Sequence, residues 1–232
     1  MQNIKHIFFD LDNTLWDHRK NAKLTLIKLF AKYDCANKYQ LGFEEFHVQY
    51  DIINEEMWAK MRDEKIDKAY LRKHRFYDTF LKFGIDDFEL SQNFENQFLD
   101  DIVEFNELVD GSLEILDYLT AKEYKLHIIT NGFEEVSYRK IEGSGMKNYF
   151  ETVTSADSLN IRKPNPKIFE HALQIANATK EESILIGDDW IADVLGAKNF
   201  GLDVIFFDVF NDQPALTEIK RVEKLVEIEM FL

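Results

Sequence analysis

The run His6-Ile7-Phe8-Phe9, followed at once by Asp10-Leu11-Asp12-Asn13-Thr14, constrains this chain more than any other segment. An apolar stretch of strand length with no polar alternation reads as a strand buried on both faces, and such strands belong to parallel sheets covered by helices. Open sheets of that kind bind ligands just beyond the carboxyl ends of their strands. Asp10 and Asp12 therefore stand where chemistry is done. Two carboxylates this close repel each other. The usual compensation is a hard cation, with an oxygen left over to attack or to carry a proton.

Two textures alternate along the rest of the chain. From residue 16 to 108 the pattern is helical. Phe43, Phe46, Tyr50, Ile53, Met57 and Met61 recur at steps of three or four, the apolar stripe of an amphipathic helix. Leu90, Phe94, Phe98, Ile102 and Phe105 repeat the pattern, Leu24, Ile27, Phe30 and Ala31 mark an earlier helix, and 70–83 a fourth with a less regular face. After Asp110-Gly111 strands and helices alternate again, with strands predicted at 126–130, 150–154, 183–187 and 204–207. Asn165-Pro166 is a helix start, with Asn as cap and Pro in the first turn, and Gly201 stops the helix that follows 183–187. The expected fold is α/β: a Rossmann-like doubly wound parallel sheet core over 1–15 plus 109–232, interrupted after its first strand by an all-helical insertion over 16–108.

Composition narrows the function. With 232 residues, 45% of them hydrophobic and 20 of them Phe, the chain can bury a sizeable core. A net charge of -15 argues against DNA or RNA polymers, whose backbones need a positive footprint, but leaves small phosphorylated substrates open. Cys35 is the single cysteine, so no internal disulfide forms, and its thiol is read as structural. The start of the sequence lacks a signal-like pattern and no apolar run reaches membrane-spanning length, so a cytoplasmic protein is expected, a monomer or weak homo-oligomer with no membrane partner. His127, inside an apolar strand, is read as a hydrogen-bonded interior residue.

Four short signals fall at predicted strand ends or just before a helix: Asp10-Leu11-Asp12-Asn13-Thr14, Thr130-Asn131-Gly132, Arg162-Lys163-Pro164, and Gly187-Asp188-Asp189 with Asp193 four residues on. In a parallel sheet they converge on one edge. Asp10, Asp12, Asp188, Asp189 and Asp193 then face Lys163 alone. At about 5 Å and an effective dielectric of about 20, each like-charged pair costs roughly 3 kcal/mol. A divalent cation resolves the conflict, and all-oxygen ligands without a His or Cys set point to magnesium. Lys163, the Thr130 hydroxyl and main-chain N–H groups around Asp12 and Asn131 can then hold a dianionic group beside it.

In order and type these motifs resemble those of the haloacid dehalogenase superfamily, and of its phosphatases with a helical cap inserted after the first motif. The resemblance implies that Asp10 is a nucleophile forming an aspartyl-phosphate and that Asp12 is the general acid and base. It implies that Thr130, Asn131 and Lys163 bind phosphate. It further implies that Asp10, Asp188 and the main-chain carbonyl of Asp12 ligate Mg2+, with Asp189 and Asp193 behind them holding its water. The strings Thr130-Asn131-Gly132-Phe133 and Lys163-Pro164-Asn165-Pro166-Lys167-Ile168-Phe169, with the spacing around Trp58 and Arg75-Phe76, are similar to a pyrimidine 5'-nucleotidase clade. Trp16, Trp58 and Arg75 are the expected substrate contacts. The resulting expectation is a magnesium-dependent phosphomonoesterase for small metabolites, a 5'-nucleotidase first. A sugar-phosphate phosphatase or mutase is the alternative. A metal-free dehalogenase is disfavoured because that chemistry has no use for Asp12, and a non-catalytic binding protein is disfavoured because acid, lysine and Asp188 are all in place.

Overall fold

The computed structural model describes residues 3–210 and 219–232. Its sheet is built from β1 (His6–Phe9), β2 (Lys125–Thr130), β3 (Phe150–Ser155), β4 (Ser183–Gly187), β5 (Asp203–Phe207) and β6 (Lys220–Val222), in the order β3-β2-β1-β4-β5-β6. Every neighbouring pair is parallel. The chain builds outward from β1 to β3 on one side, then returns to lay β4 on the other. That reversal opens a crevice at the carboxyl ends of β1 and β4. Phe9 lies level with Ile128 of β2 and with Ile186 of β4, so the residues that follow these three strands emerge together.

The helices are α1 (His18–Lys32), α2 (Cys35–Tyr39), α3 (Phe43–Arg62), α4 (Lys68–Leu81), α5 (Phe88–Asp101), α6 (Ser112–Ala121), α7 (Glu134–Gly143), α8 (Ala156–Leu159), α9 (Pro166–Ile175) and α10 (Gly196–Phe200). The chain divides into two compact units, Met1–His18 with Asn106–Leu232, and Arg19–Phe105. The divisions fall a few residues inside the 16 and 108 read from periodicity.

In the sheet unit Phe8, Ile129, Phe169, Leu185, Val194 and Phe206 share one buried core. The continuous apolar runs of β1 and β4 are buried throughout, which is what a strand covered on both faces requires. Asn165 caps α9 by accepting from the Lys167 N–H at 3.1 Å, with Pro166 as the first helical residue. Gly201, at φ 84°, closes α10 in the left-handed conformation that favours glycine. His127 is fully buried: its Nδ1 shares a hydrogen bond with the Thr152 hydroxyl at 2.9 Å and its Nε2 one with His6 Nδ1 at 3.0 Å. Strand β6 was not predicted. It has three residues, two of them Lys220 and Arg221, and an edge strand of that kind carries no apolar signature.

In the helical unit the stripes of α3, α4 and α5 meet through aromatic rings, with Phe46 and Phe80 at 5.2 Å, Phe80 edge-on to Phe94 at 5.1 Å, and Tyr50 stacked on Phe76 at 5.1 Å. The buried side of α4 is Leu71, Arg75, Phe76, Thr79 and Phe80. Arg75 and Thr79 within that stripe are why its face looked irregular in sequence. Among the described residues, no helix is long and apolar enough to cross a membrane.

Candidate active site

β1 hands its ladder to Asp10, whose N–H donates to the Ile186 carbonyl at 2.9 Å. The chain then turns tightly. The Leu11 carbonyl accepts from the N–H groups of Leu15 and Trp16, the Asn13 N–H donates to the Trp16 carbonyl at 2.7 Å, and Asn13 itself takes φ 62°. This turn leaves Asp10 buried and Asp12 partly open. It also delivers the Thr14 hydroxyl to Asp188 Oδ1, to which it donates at 2.9 Å.

From the end of β2, Asn131 clamps the main chain of Lys163: its Oδ1 accepts the Lys163 N–H at 2.8 Å and its Nδ2 donates to the Lys163 carbonyl at 3.0 Å. So held, Lys163 sends its ammonium back under the sheet edge. Nζ donates to Asp10 Oδ1 at 2.5 Å and to the Ile129 carbonyl at 2.8 Å, and pairs with Asp193 Oδ1 at 2.7 Å.

From the end of β4 come Asp188 and, through the π-helical turn Trp190–Leu195, Asp193. Gly187 is required here. A Cβ at that position would stand 2.4 Å from the Asp193 carboxyl carbon, so the missing side chain is the space Asp193 occupies. Asp193 Oδ2 accepts the Asp189 N–H at 3.1 Å.

Asp10, Asp188 and Asp193 each bring a carboxylate oxygen within 4.8 Å of the others. Burial pushes the Asp10 carboxyl upward against the opposing pull of Lys163. Asp188 is driven well above the usual carboxylate range by burial and then by its two acidic neighbours. Burial raises Asp193 to about 7 although Lys163 opposes it. Two buried acids and a half-buried third against one buried ammonium leave uncompensated negative charge, which a hard divalent cation bound to carboxylate oxygens removes. The donor set fits such an ion. No His or Cys is among these three side chains, which sets the site apart from zinc chemistry.

Asp12 differs. Burial works against its charge, but Lys140 and then His18 prevail and hold it below the usual range. Lys140 Nζ donates to Asp12 Oδ1 at 2.5 Å, and His18 Nδ1 lies 3.8 Å from the same oxygen. Neither residue stood out in the sequence. Lys140 left one readable trace, because it sits in the buried stripe Val136, Ser137, Lys140 and Ile141 of α7, where a lysine is out of place.

Several expected roles shift with the coordinates. The Asn131 side chain is spent on Lys163, which leaves its main chain as the part able to face an anion. Asp189 Oδ1 accepts from the Ile191 and Ala192 N–H groups, both at 2.8 Å, as the cap of the π-helical turn. Asp193 stands among the candidate ligand oxygens rather than behind them. Trp16 is fully buried, its indole N–H donating to Asn106 Oδ1 at 3.3 Å, and is not presented to a substrate. Arg75 belongs to the interior of the helical unit. Its Nε and Nη2 donate to the Glu95 carboxylate at 2.9–3.1 Å, and its Nη1 to Asn54 Oδ1 at 3.1 Å. An arginine whose donors are consumed by buried partners does not recognise substrate. Trp58, half-buried on α3, lies in the helical unit too.

Against known proteins, the family model for haloacid dehalogenase-like hydrolases matches residues 4–201. The chain belongs to that family. It is 29% identical over 210 residues to the pyrimidine 5'-nucleotidase PynA of Streptococcus pneumoniae, covering 88% of this chain and 84% of that protein. It is 27% identical over 229 residues to the pyrimidine 5'-nucleotidase YjjG of Escherichia coli, covering 97% and 96%. In fold it superposes on the solved structure of the HAD-hydrolase YfnB from Bacillus subtilis, crystallised with magnesium, at a TM-score of 0.89, with 22% identity and coverage of 100% and 99%. The family makes the chain an enzyme, a hydrolase of the haloacid dehalogenase-like group.

Proposed function

We propose that this hydrolase is a magnesium-dependent phosphatase acting through Asp10 on small phosphorylated metabolites, with pyrimidine nucleoside 5'-monophosphates preferred. The observation that carries the metal reading is the convergence of Asp10, Asp188 and Asp193 oxygens within 4.8 Å beside the buried Lys163 ammonium. Asp10, Asp188 and Asp193, with the main-chain carbonyl of Asp12, are the groups to hold magnesium, which would neutralise phosphoryl charge there.

The protein's own groups supply the rest. An Asp10 carboxylate oxygen attacks phosphorus. The bond from phosphorus to the ester oxygen breaks, and that oxygen leaves as an alcohol with the proton carried by Asp12. Water then attacks the aspartyl-phosphate, giving a proton to Asp12 and restoring the Asp10 carboxylate as inorganic phosphate departs. Lys140 and His18 keep Asp12 ionised in the free protein. The incoming phosphate's negative charge works the other way and loads the proton for the first step. Lys163 and the Thr130 hydroxyl hold the transferring group against its charge.

The nucleotide preference rests on the two curated nucleotidase relatives and on the strings around Thr130 and Lys163. Mononucleotides of this kind are cytoplasmic metabolites, and we place the enzyme there. A phosphate-release screen with magnesium over dUMP, UMP, dTMP and sugar phosphates tests the preference. The expected result is a kcat/KM for the pyrimidine nucleotides at least about tenfold above the sugar phosphates. An even profile would leave a general phosphatase and remove the nucleotidase reading.

A further inference from the structure

We propose that Lys140 is a positioning residue that fixes the Asp12 carboxylate for proton transfer at the leaving oxygen. The proposal rests on the phosphatase reading and adds a residue to it. Lys140 occupies a buried position of α7, its side chain 4% exposed, where Leu or Met would pack without the cost of desolvating an ammonium. What it gains there is specific. Nζ lies 2.5 Å from Asp12 Oδ1 and 4.3 Å from the centre of the Trp16 ring.

The lysine is itself held. The Trp16 indole N–H donates to Asn106 Oδ1. Asn106, at φ 50°, lies against Gly143 at the end of α7, where a Cβ would come 2.6 Å from Asn106 Nδ2. A line of contacts thus runs from the end of α7 through Asn106 and Trp16 to Lys140, and ends on one oxygen of Asp12.

The other oxygen is left for chemistry. Asp12 Oδ2 lies 3.2 Å from the point where a Cβ at Gly132 would stand, Thr130 Oγ1 lies 3.2 Å from that point, and Ser137 Oγ 2.9 Å. Three polar oxygens therefore crowd the bare face of Gly132. The Ser137 hydroxyl is buried and has no hydrogen-bond partner. Ser137 and Lys140 are three residues apart on α7, so they face the same way. With Oδ1 tied to Lys140, the Asp12 carboxylate presents Oδ2 to this polar face, and the two oxygens have separate duties, one anchored and one free to carry the proton.

The leaving group provides the test. A p-nitrophenolate departs without a proton, whereas a ribose 5'-oxygen needs one. Lys140→Met keeps the packing and removes the anchor. Its kcat/KM on UMP, which covers the steps through departure of the leaving alcohol and not the later hydrolysis of the aspartyl-phosphate, should fall by about 30-fold or more, within the range general acid catalysis supplies, and on p-nitrophenyl phosphate by less than about fivefold. Lys140→Arg, which restores a cation and a donor, should recover most of the loss. An equal loss of kcat/KM on both substrates would overturn the proposal while leaving the phosphatase intact. Asp12→Ala should show the same split. Wild-type silence on both esters would overturn the phosphatase reading itself, and this proposal with it.

Discussion

Among the described residues each unit holds a buried charge cluster, Arg75 with Glu95 in one and Lys163 with its acids in the other, and the two are built to opposite rules. In the helical unit Arg75 meets Glu95 through paired donors, with Asn54 taking a further one, and aromatic rings of Tyr50, Phe76 and Phe98 pack 5.0–5.9 Å around the guanidinium. The Glu95 carboxylate is met by Arg75 and, at 3.8 Å, by Arg72, so its negative charge is matched and its hydrogen bonds are made. At the sheet edge Lys163 faces Asp10 and Asp193, with Asp188 beside them, and the acids outnumber the cation. Asp10, Asp193 and Lys163 are buried as Arg75 and Glu95 are, and Asp188 is half-buried, so burial alone does not separate the two clusters. The surplus of one sign does. A balanced pair holds a fold together, whereas an unbalanced one is completed by something the chain does not encode.

The sharpest way to break this contrast is to remove a charge from each cluster. Asp10→Asn should lower phosphate release by about 10³-fold or more, because the nucleophile is lost. Its melting temperature should be no lower than that of the wild type, since an acid has been taken from a crowded acidic set. Arg75→Met should do the reverse. It strands the Glu95 carboxylate in the helical core and should cost about 3–5 kcal/mol of stability, measured by denaturant unfolding, while the folded fraction keeps its turnover. Pairing it with Glu95→Leu should recover most of that loss. If Asp10→Asn destabilises as much as Arg75→Met, the two clusters are of one kind.

A smaller effect is expected with pH, where two kinds of buried group within the sheet unit point apart. Asp188 and Asp193 have folded pKa values above their unfolded ones, Asp193 at about 7. The metal-free native state therefore binds more protons than the unfolded chain from about pH 4 upward, and this contribution to stability falls as pH rises towards 7. His127 behaves oppositely. Burial lowers it from 6.5 to about 4, so its contribution is present above pH 6.5 and is lost as pH falls towards 4. Thermal melts from pH 4 to 8 should show the acid contribution in chelator and its suppression with magnesium, leaving the histidine slope. Identical profiles in both conditions would remove the acidic cluster from the account.

How far the sequence carried the reading depended on whether a residue's partner was local. The apolar runs of β1, β2 and β4 declared themselves, and so did the Asp, Thr and Asp positions at their ends, because strand ends in a parallel sheet converge whatever lies between them. Lys140 and Arg75 show where such reading stops. Each is a cation in the buried stripe of a helix. Arg75 looked functional and is structural, because its partner Glu95 lies 20 positions away on α5. Lys140 passed unnoticed, because Asp12 lies 128 positions away in the first loop. The anomaly, a charge in an apolar stripe, was visible in both. Its meaning depended on tertiary pairing. Asp189 sits among acids that converge, yet its carboxylate caps the turn that carries Asp193. Short-range capping and long-range convergence use the same residue types.

The most direct test of the acidic cluster as a cation site is a thermal melt with and without magnesium, on the wild type and on Asp188→Asn. At a magnesium concentration about 100-fold above its dissociation constant, wild-type stability should rise by about 2.7 kcal/mol, a shift of roughly 5–10 °C for a chain of this size, and the variant should lose most of that shift. An unmoved wild type, or an equal shift in both proteins, would contradict it.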